Sequence, residues 1–161
     1  IRGGSQSLGS DTDVVQLLVG GKVIRALGEN VRMIVRTTAG WTWKEDFNDL
    51  PPSIRFFAGG DTSIRGYEFQ GVGPKQDGYV VGGSSLLTGS MEFDYQFRPS
   101  WSVAAFVDTG SAYDDEPRFF TGVGGGIRWY SPIGPIRVDV GHPLDDPTTQ
   151  WRLYVTIGPD L

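Results

Sequence analysis

Alternation constrains this chain more than any other feature. In the stretch LLTGSMEFDYQF, Leu87, Met91, Phe93, Tyr95 and Phe97 share one parity, and Thr88, Ser90, Glu92, Asp94 and Gln96 share the other. Side chains that repeat every two residues belong to an extended strand with one apolar and one polar face. The pattern recurs along the chain. Val31, Met33, Val35, Ala39 and Trp41 oppose Arg32, Arg36 and Thr38, and Val123, Ile127 and Trp129 oppose Arg128 and Tyr130. Ile136, Val138 and Val140 oppose Arg137 and Asp139, and Trp151, Leu153, Val155 and Ile157 oppose Gln150, Arg152, Tyr154 and Thr156. With the runs at 13–27 and 101–110, seven strands result, and residues 1–7 fit the end of an eighth.

An all-β chain with this patterning folds as a soluble sandwich or as a membrane barrel, and two features separate them. The polar parity holds charged residues and glycines, as a wet interior does, while the aliphatic parity carries aromatics toward the strand ends. The connections also alternate in length: GEN, RPS and SPIG are short, whereas 42–79, 110–119 and 142–149 are long. That asymmetry is the short-turn, long-loop pattern of outer-membrane barrels. No run approaches the roughly 20 apolar residues of a membrane helix. The reading is therefore an all-β, antiparallel transmembrane β-barrel. A sandwich could share the alternation, but the loop lengths favour the barrel.

Charge and chemistry narrow the function. Lysine and arginine number 14 against 19 acidic residues, a net charge of -5, so there is no basic field for a nucleic-acid partner. There is no cysteine, which removes disulfides and thiolate metal sites. The one histidine, His142, stands beside Pro143 in an expected loop, without a ligand cluster or a nucleophile to activate. No enzymatic activity, metal or cofactor is expected. GVGGGIRW lacks the strand, loop and helix order of a phosphate-binding turn, and its glycines more simply make room for a neighbouring segment or aromatic. Asp114, Asp115 and Glu116, and Asp145 and Asp146, read as solvated acidic loops. The chain begins at Ile1 without a signal-like leader, as expected of a segment from inside a longer protein.

The longest connection, 42–79, contains RFFAGGDTSIRGYEFQGVGP. Phe56, Phe57, Ile64, Tyr67 and Phe69 give it enough apolar surface to pack, and Gly59, Gly60 and Gly66 allow tight backbone turns. If it packs inside a barrel, Arg65 needs carboxylate partners. Glu92 and Asp108 lie on the inward parity of neighbouring strands and could supply them. The same spacing also fits an arginine capping an exposed turn, with Glu92 and Asp108 lining water.

These residues carry a family resemblance. GGDTSIRGY resembles the (V/I)-R-G-(F/Y) loop signature of the outer-membrane assembly and translocation family that includes BamA, TamA and the two-partner secretion transporters. The wider set GGSSLLTGSMEFDYQF, AAFVDTGSAY, GVGGGIRWYSPIGPIRVDVGHPL and WRLYVTIGPDL is most similar to the TamA pattern, in matching order over nearly the whole chain. The resemblance implies a sixteen-stranded barrel preceded by periplasmic POTRA domains, of which 1–161 would be the C-terminal half, about eight strands. It also implies that the signature loop (Gly59, Gly60, Asp61, Ile64, Arg65, Gly66, Tyr67) tucks into the lumen with Arg65 bound to Glu92 and Asp108.

The implied activity is assembly or translocation of β-barrel and autotransporter clients in the outer-membrane lipid. Clients would pass a lateral opening beside the terminal strand of Trp151, Leu153, Val155 and Ile157, with a periplasm-spanning TamB-like partner. Those four residues also fit an ordinary lipid-facing strand. A two-partner secretion pore and a passive barrel are the other readings; three POTRA units upstream would mark the first reading, and two plus a plug helix the second. Eight strands alone would close into a barrel whose interior is filled by side chains. The segment must therefore either belong to the large barrel or close with its loop displaced.

Overall fold

The structure is a computed structural model, and it describes residues 2–4, 14–44, 50–132, 134–145 and 150–158. Each alternating run is a strand. In chain order they are β1 (Arg2–Gly4), β2 (Val14–Ala26), β3 (Val31–Lys44), β4 (Lys75–Gln76), β5 (Tyr79–Val80), β6 (Ser85–Arg98), β7 (Trp101–Tyr113), β8 (Phe120–Ser131), β9 (Gly134–Pro143) and β10 (Arg152–Ile157). Eight of them form one antiparallel sheet in the order β1-β2-β3-β6-β7-β8-β9-β10. β4 and β5 form a separate hairpin within the long connection, turned by Asp77 (φ 51°) and Gly78 (φ 84°). Positive φ at both central residues suits the Asp-Gly pair and matches the twist of the hairpin.

Parity assigns the two faces as the alternation requires. Leu87, Met91, Phe93, Tyr95 and Phe97 of β6, Val103 and Val107 of β7, Ile127 of β8 and Val138 and Val140 of β9 are exposed on the outer face. Ten residues along β6 rise roughly 34 Å, and a tilt of about 40° reduces this to roughly 26 Å, the height of an outer-membrane apolar band. Trp101 and Trp129 stack at 5.7 Å at the short-turn end, and Trp41 and Trp43 lie at the other end. Glu92, Asp94, Ser102, Phe106, Asp108, Arg128 and Asp139 are buried on the inner face.

Much of the inner face is covered by the connection between β3 and β6. This segment has a small core of its own, in which Ala58, Ile64 and Val72 pack with Ala112 of β7, flanked by Tyr67, Leu86 and Phe120. Its base is tied to the sheet where the Gln16 amide donates to the Ile54 carbonyl (2.7 Å), and where Phe56 pairs with Gly83. That second pairing shortens a strand. The alternation predicts a strand from residue 80, yet β6 begins at Ser85, because the loop recruits the intervening backbone and Gly82 turns it at φ 79°. His142, expected in a loop, is instead near the end of β9, where its ring stacks on Trp151 at 4.9 Å. The loop is seated on the inner face, and β1 and β10 lie at opposite ends of the sheet order.

Candidate functional site

Arg65 sits at the centre of the inner face, 2% exposed. Its Nε donates to Asp108 Oδ2 at 2.7 Å and one terminal nitrogen to Asp108 Oδ1 at 3.0 Å, the parallel geometry in which a guanidinium binds a carboxylate most strongly. The Arg65 backbone N–H donates to the same Asp108 Oδ2 at 3.0 Å. The other terminal nitrogen donates to Glu92 Oε2 at 2.8 Å and to Asp139 Oδ2 at 3.2 Å. Burial disfavours the charged guanidinium, yet the hydrogen bonds and charge of Asp108, followed by Glu92, outweigh it and hold the pKa above arginine's ordinary value. Ser90, opposite Asp108 in the β6–β7 register, donates to Asp108 Oδ1 at 2.6 Å.

Arg128 completes the cluster. It donates to Glu92 Oε1 at 2.9 Å and to Asp139 Oδ1 at 2.5 Å, so Arg65, Glu92, Arg128 and Asp139 form a closed ring of alternating charge. Each of these two carboxylates spends one oxygen on each arginine. Two guanidiniums thus meet three carboxylates, and Arg36, 3.7 Å from Glu92, brings the formal charges into balance. Charges removed from water are retained at tolerable cost only in such a paired and hydrogen-bonded arrangement. The Arg65 guanidinium also lies 3.4 Å above the Phe106 ring.

Glycines on the inner parity of β8 make this packing possible, each in a different way. A Cβ at Gly122 would lie 1.9 Å from the Arg65 carbonyl oxygen, so the loop backbone rests directly on the strand. At Gly124 a Cβ would meet the Phe106 ring at 2.5 Å, and at Gly126 it would meet Asp139 Oδ1 at 2.0 Å. The strand therefore has room for a loop, an aromatic floor and an ion pair in turn. Gly66 (φ 104°) passes just above the backbone of His142 and Pro143 of β9, where a Cβ on Gly66 would meet the Pro143 nitrogen at 2.9 Å.

Other signature residues have distinct places. Gly59 (φ 101°) and Gly60 (φ 104°) turn the loop tip, Ile64 is fully buried in its core, and Asp61 is exposed outside the arginine cluster. The Tyr67 hydroxyl donates to Asp145 Oδ2 at 2.9 Å. Burial and that hydrogen bond push its pKa up to about 12, so it remains a donor at neutral pH. Asp145, read from sequence as a solvated loop residue, thus has a definite partner, and Asp114 accepts from the Ser84 N–H at 2.8 Å. Asp146 lies outside the described residues. Trp151, Leu153, Val155 and Ile157 are all exposed on the outer parity of the terminal strand, and no cluster of metal-ligating residues occurs among the described residues. Sequence reasoning placed Arg128 and Asp139 on the polar parity without joining them to Arg65; their shared parity with Glu92 and Asp108 was the available signal.

An Omp85 superfamily domain model matches residues 2–160. The chain belongs to the Omp85 superfamily. This Omp85 segment is a barrel-type sheet of the bacterial outer membrane. It is 31% identical over 153 residues to the outer membrane protein assembly factor BamA of Nitratidesulfovibrio vulgaris, a match covering 89% of the chain and 19% of that protein. The sorting and assembly machinery component 50 homolog of Homo sapiens is 40% identical over 55 residues, 32% of the chain and 12% of that protein. The chain thus spans about a fifth or less of the curated relatives it matches. Among solved structures, BamA from Haemophilus ducreyi lacking POTRA domains 1-3 superposes with a TM-score of 0.68 at 19% identity, over 91% of this chain and 35% of that one. At that identity the likeness establishes the fold.

Proposed function

We propose that this segment is the C-terminal half of a sixteen-stranded barrel whose parent is an outer-membrane protein assembly factor of the TamA kind. The parent inserts or secretes β-barrel and autotransporter clients through a lateral opening beside the terminal strand, served by a periplasm-spanning TamB-like partner. The observation that carries this reading is the seat of the loop. Arg65 joins β6, β7 and β9 through Glu92, Asp108 and Asp139, which braces this part of the wall from inside, while its ion pairs do not extend to β10. A strand edge not committed to a neighbour can pair with an incoming strand through backbone hydrogen bonds, with little regard to client sequence. The reading involves no bond-breaking chemistry. The relatives named as assembly components agree with it in kind.

In the full-length parent, Arg65→Ala should unseat the loop and impair client assembly, and charge reversal of Asp108 should do the same. The checks are growth of a strain that depends on the clients and protection of the loop from added protease. Unchanged growth together with unchanged protection would remove the role given to Arg65.

A further inference from the structure

The loop does not end at the arginine cluster. Immediately after Arg65 it crosses the inner side of β9 and reaches β10, where a single hydroxyl takes two loop contacts. The Gly66 N–H donates to the Tyr154 hydroxyl oxygen at 2.8 Å, and that hydroxyl donates to the Tyr67 carbonyl at 2.8 Å. One turn of pleat closer to the loop-bearing rim, Arg152 binds Glu68 at 2.8 Å. Arg152 and Tyr154 share the inward parity of β10, so both ties approach from the side away from lipid. In the sheet, β10 is held along one edge by β9, over the pairs from Arg152↔Gly141 to Ile157↔Ile136.

The loop backbone is as closely constrained at this crossing as at the cluster. A Cβ at Gly141 would meet the Gly66 nitrogen at 2.7 Å, and a Cβ at Gly66 would meet the His142 carbonyl carbon at 2.8 Å. Gly66 is covalently next to Arg65, whose own carbonyl rests on Gly122. Lifting Arg65 from its carboxylates therefore moves the N–H that Tyr154 accepts from.

We propose that Tyr154, assisted at the rim by Arg152, is a positioning residue that couples the terminal strand to the seating of the signature loop. With the loop seated, β10 is held by β9 and by the loop. With the loop lifted, β10 keeps only its strand pairing and is freer to move. The proposal rests on the reading of β10 as the strand beside the opening, and it makes loop release a condition that eases that opening.

The test is a double-mutant cycle in the full-length parent reconstituted in lipid, read by amide hydrogen exchange in the peptide covering 152–157. Tyr154→Phe keeps the ring and removes the hydroxyl. It should speed exchange there by about fivefold to tenfold, the shift that loss of one such hydrogen bond produces. Arg65→Ala should do so to a similar or greater extent from across the loop. Because both act on one tie, the double variant should exchange no faster than Arg65→Ala alone. Additive effects, or no effect of Arg65→Ala on this peptide, would overturn the coupling. If Tyr154→Phe fails to assemble, Glu68→Ala cuts the rim tie and takes its place in the same cycle. The exchange readout needs no client. Normal coupling with no assembly defect would sink the assembly reading alone, and additive exchange with a client defect would sink the coupling alone.

Discussion

Glu92 and Asp139 each bind two arginines, so the two arginines are not equivalent when removed. Arg65 belongs to the loop and Arg128 to the wall, and both point at the same pair of carboxylates. Taking away Arg65 leaves Glu92 and Asp139 facing Arg128, and leaves Asp108 without its arginine. Taking away Arg128 leaves two buried anions and Asp108 to share Arg65. Breaking a buried pair by deleting one partner costs about 3–5 kcal/mol, because the remaining charge is left uncompensated. Arg128→Met should therefore lower the stability of the folded barrel by about that amount, read as an earlier urea midpoint in detergent or lipid. Arg65→Ala leaves buried Asp108 without its arginine, so it should cost a similar amount and in addition free the loop. A wild-type midpoint for Arg128→Met would mean that the ring does not hold the wall. Inward parity made Glu92 and Asp108 candidates in the sequence, where the same spacing also fitted an arginine capping an exposed turn, and the resemblance of the loop signature favoured the pairing. Asp139 was not joined to Arg65, since nothing local links it to a residue 74 positions away.

At the scale of the element, β8 is unusual in what its inner face lacks. Gly122, Gly124 and Gly126 occupy successive inward positions, and each space is filled by a different neighbour. Gly122→Ala would place a methyl group against the Arg65 carbonyl, where neither backbone can yield without breaking pairs. It should unseat the loop and expose Arg65 to trypsin in the folded parent. Gly89→Ala provides the control, since a Cβ there meets nothing within 4 Å. Equal trypsin resistance in both variants would contradict the close approach. The strand itself was readable as a strand, and its glycines as spaces. Their individual occupants follow from the register that sets Gly124 opposite Gly141 on β9 and opposite Phe106 on β7.

For the whole molecule, the outer face faces lipid and the inner face carries the polar and charged groups, and substitutions should follow that division by depth. Met91, exposed midway along β6, lies near the centre of the apolar band, whereas Phe97 lies at its short-turn rim. Met91→Lys should cost about 2–4 kcal/mol and Phe97→Lys about 1 kcal/mol or less, measured as folding equilibria in lipid vesicles. Equal costs would place the membrane elsewhere. Alternation by itself determined the strands, their two faces and the shared parity of the charged residues, because a period of two is a local property of the backbone, and the alternating short and long connections favoured the barrel over a sandwich. Order along the chain determined the family through its loop signature. Only the tertiary structure decided that the loop is seated on the inner face of the sheet, that Arg128 and Asp139 close a ring with Arg65 and Glu92, and that Tyr154 holds the loop to β10. Those contacts join residues far apart in sequence. They depend on register, sheet curvature and the path of one loop, which no short stretch of the chain encodes alone.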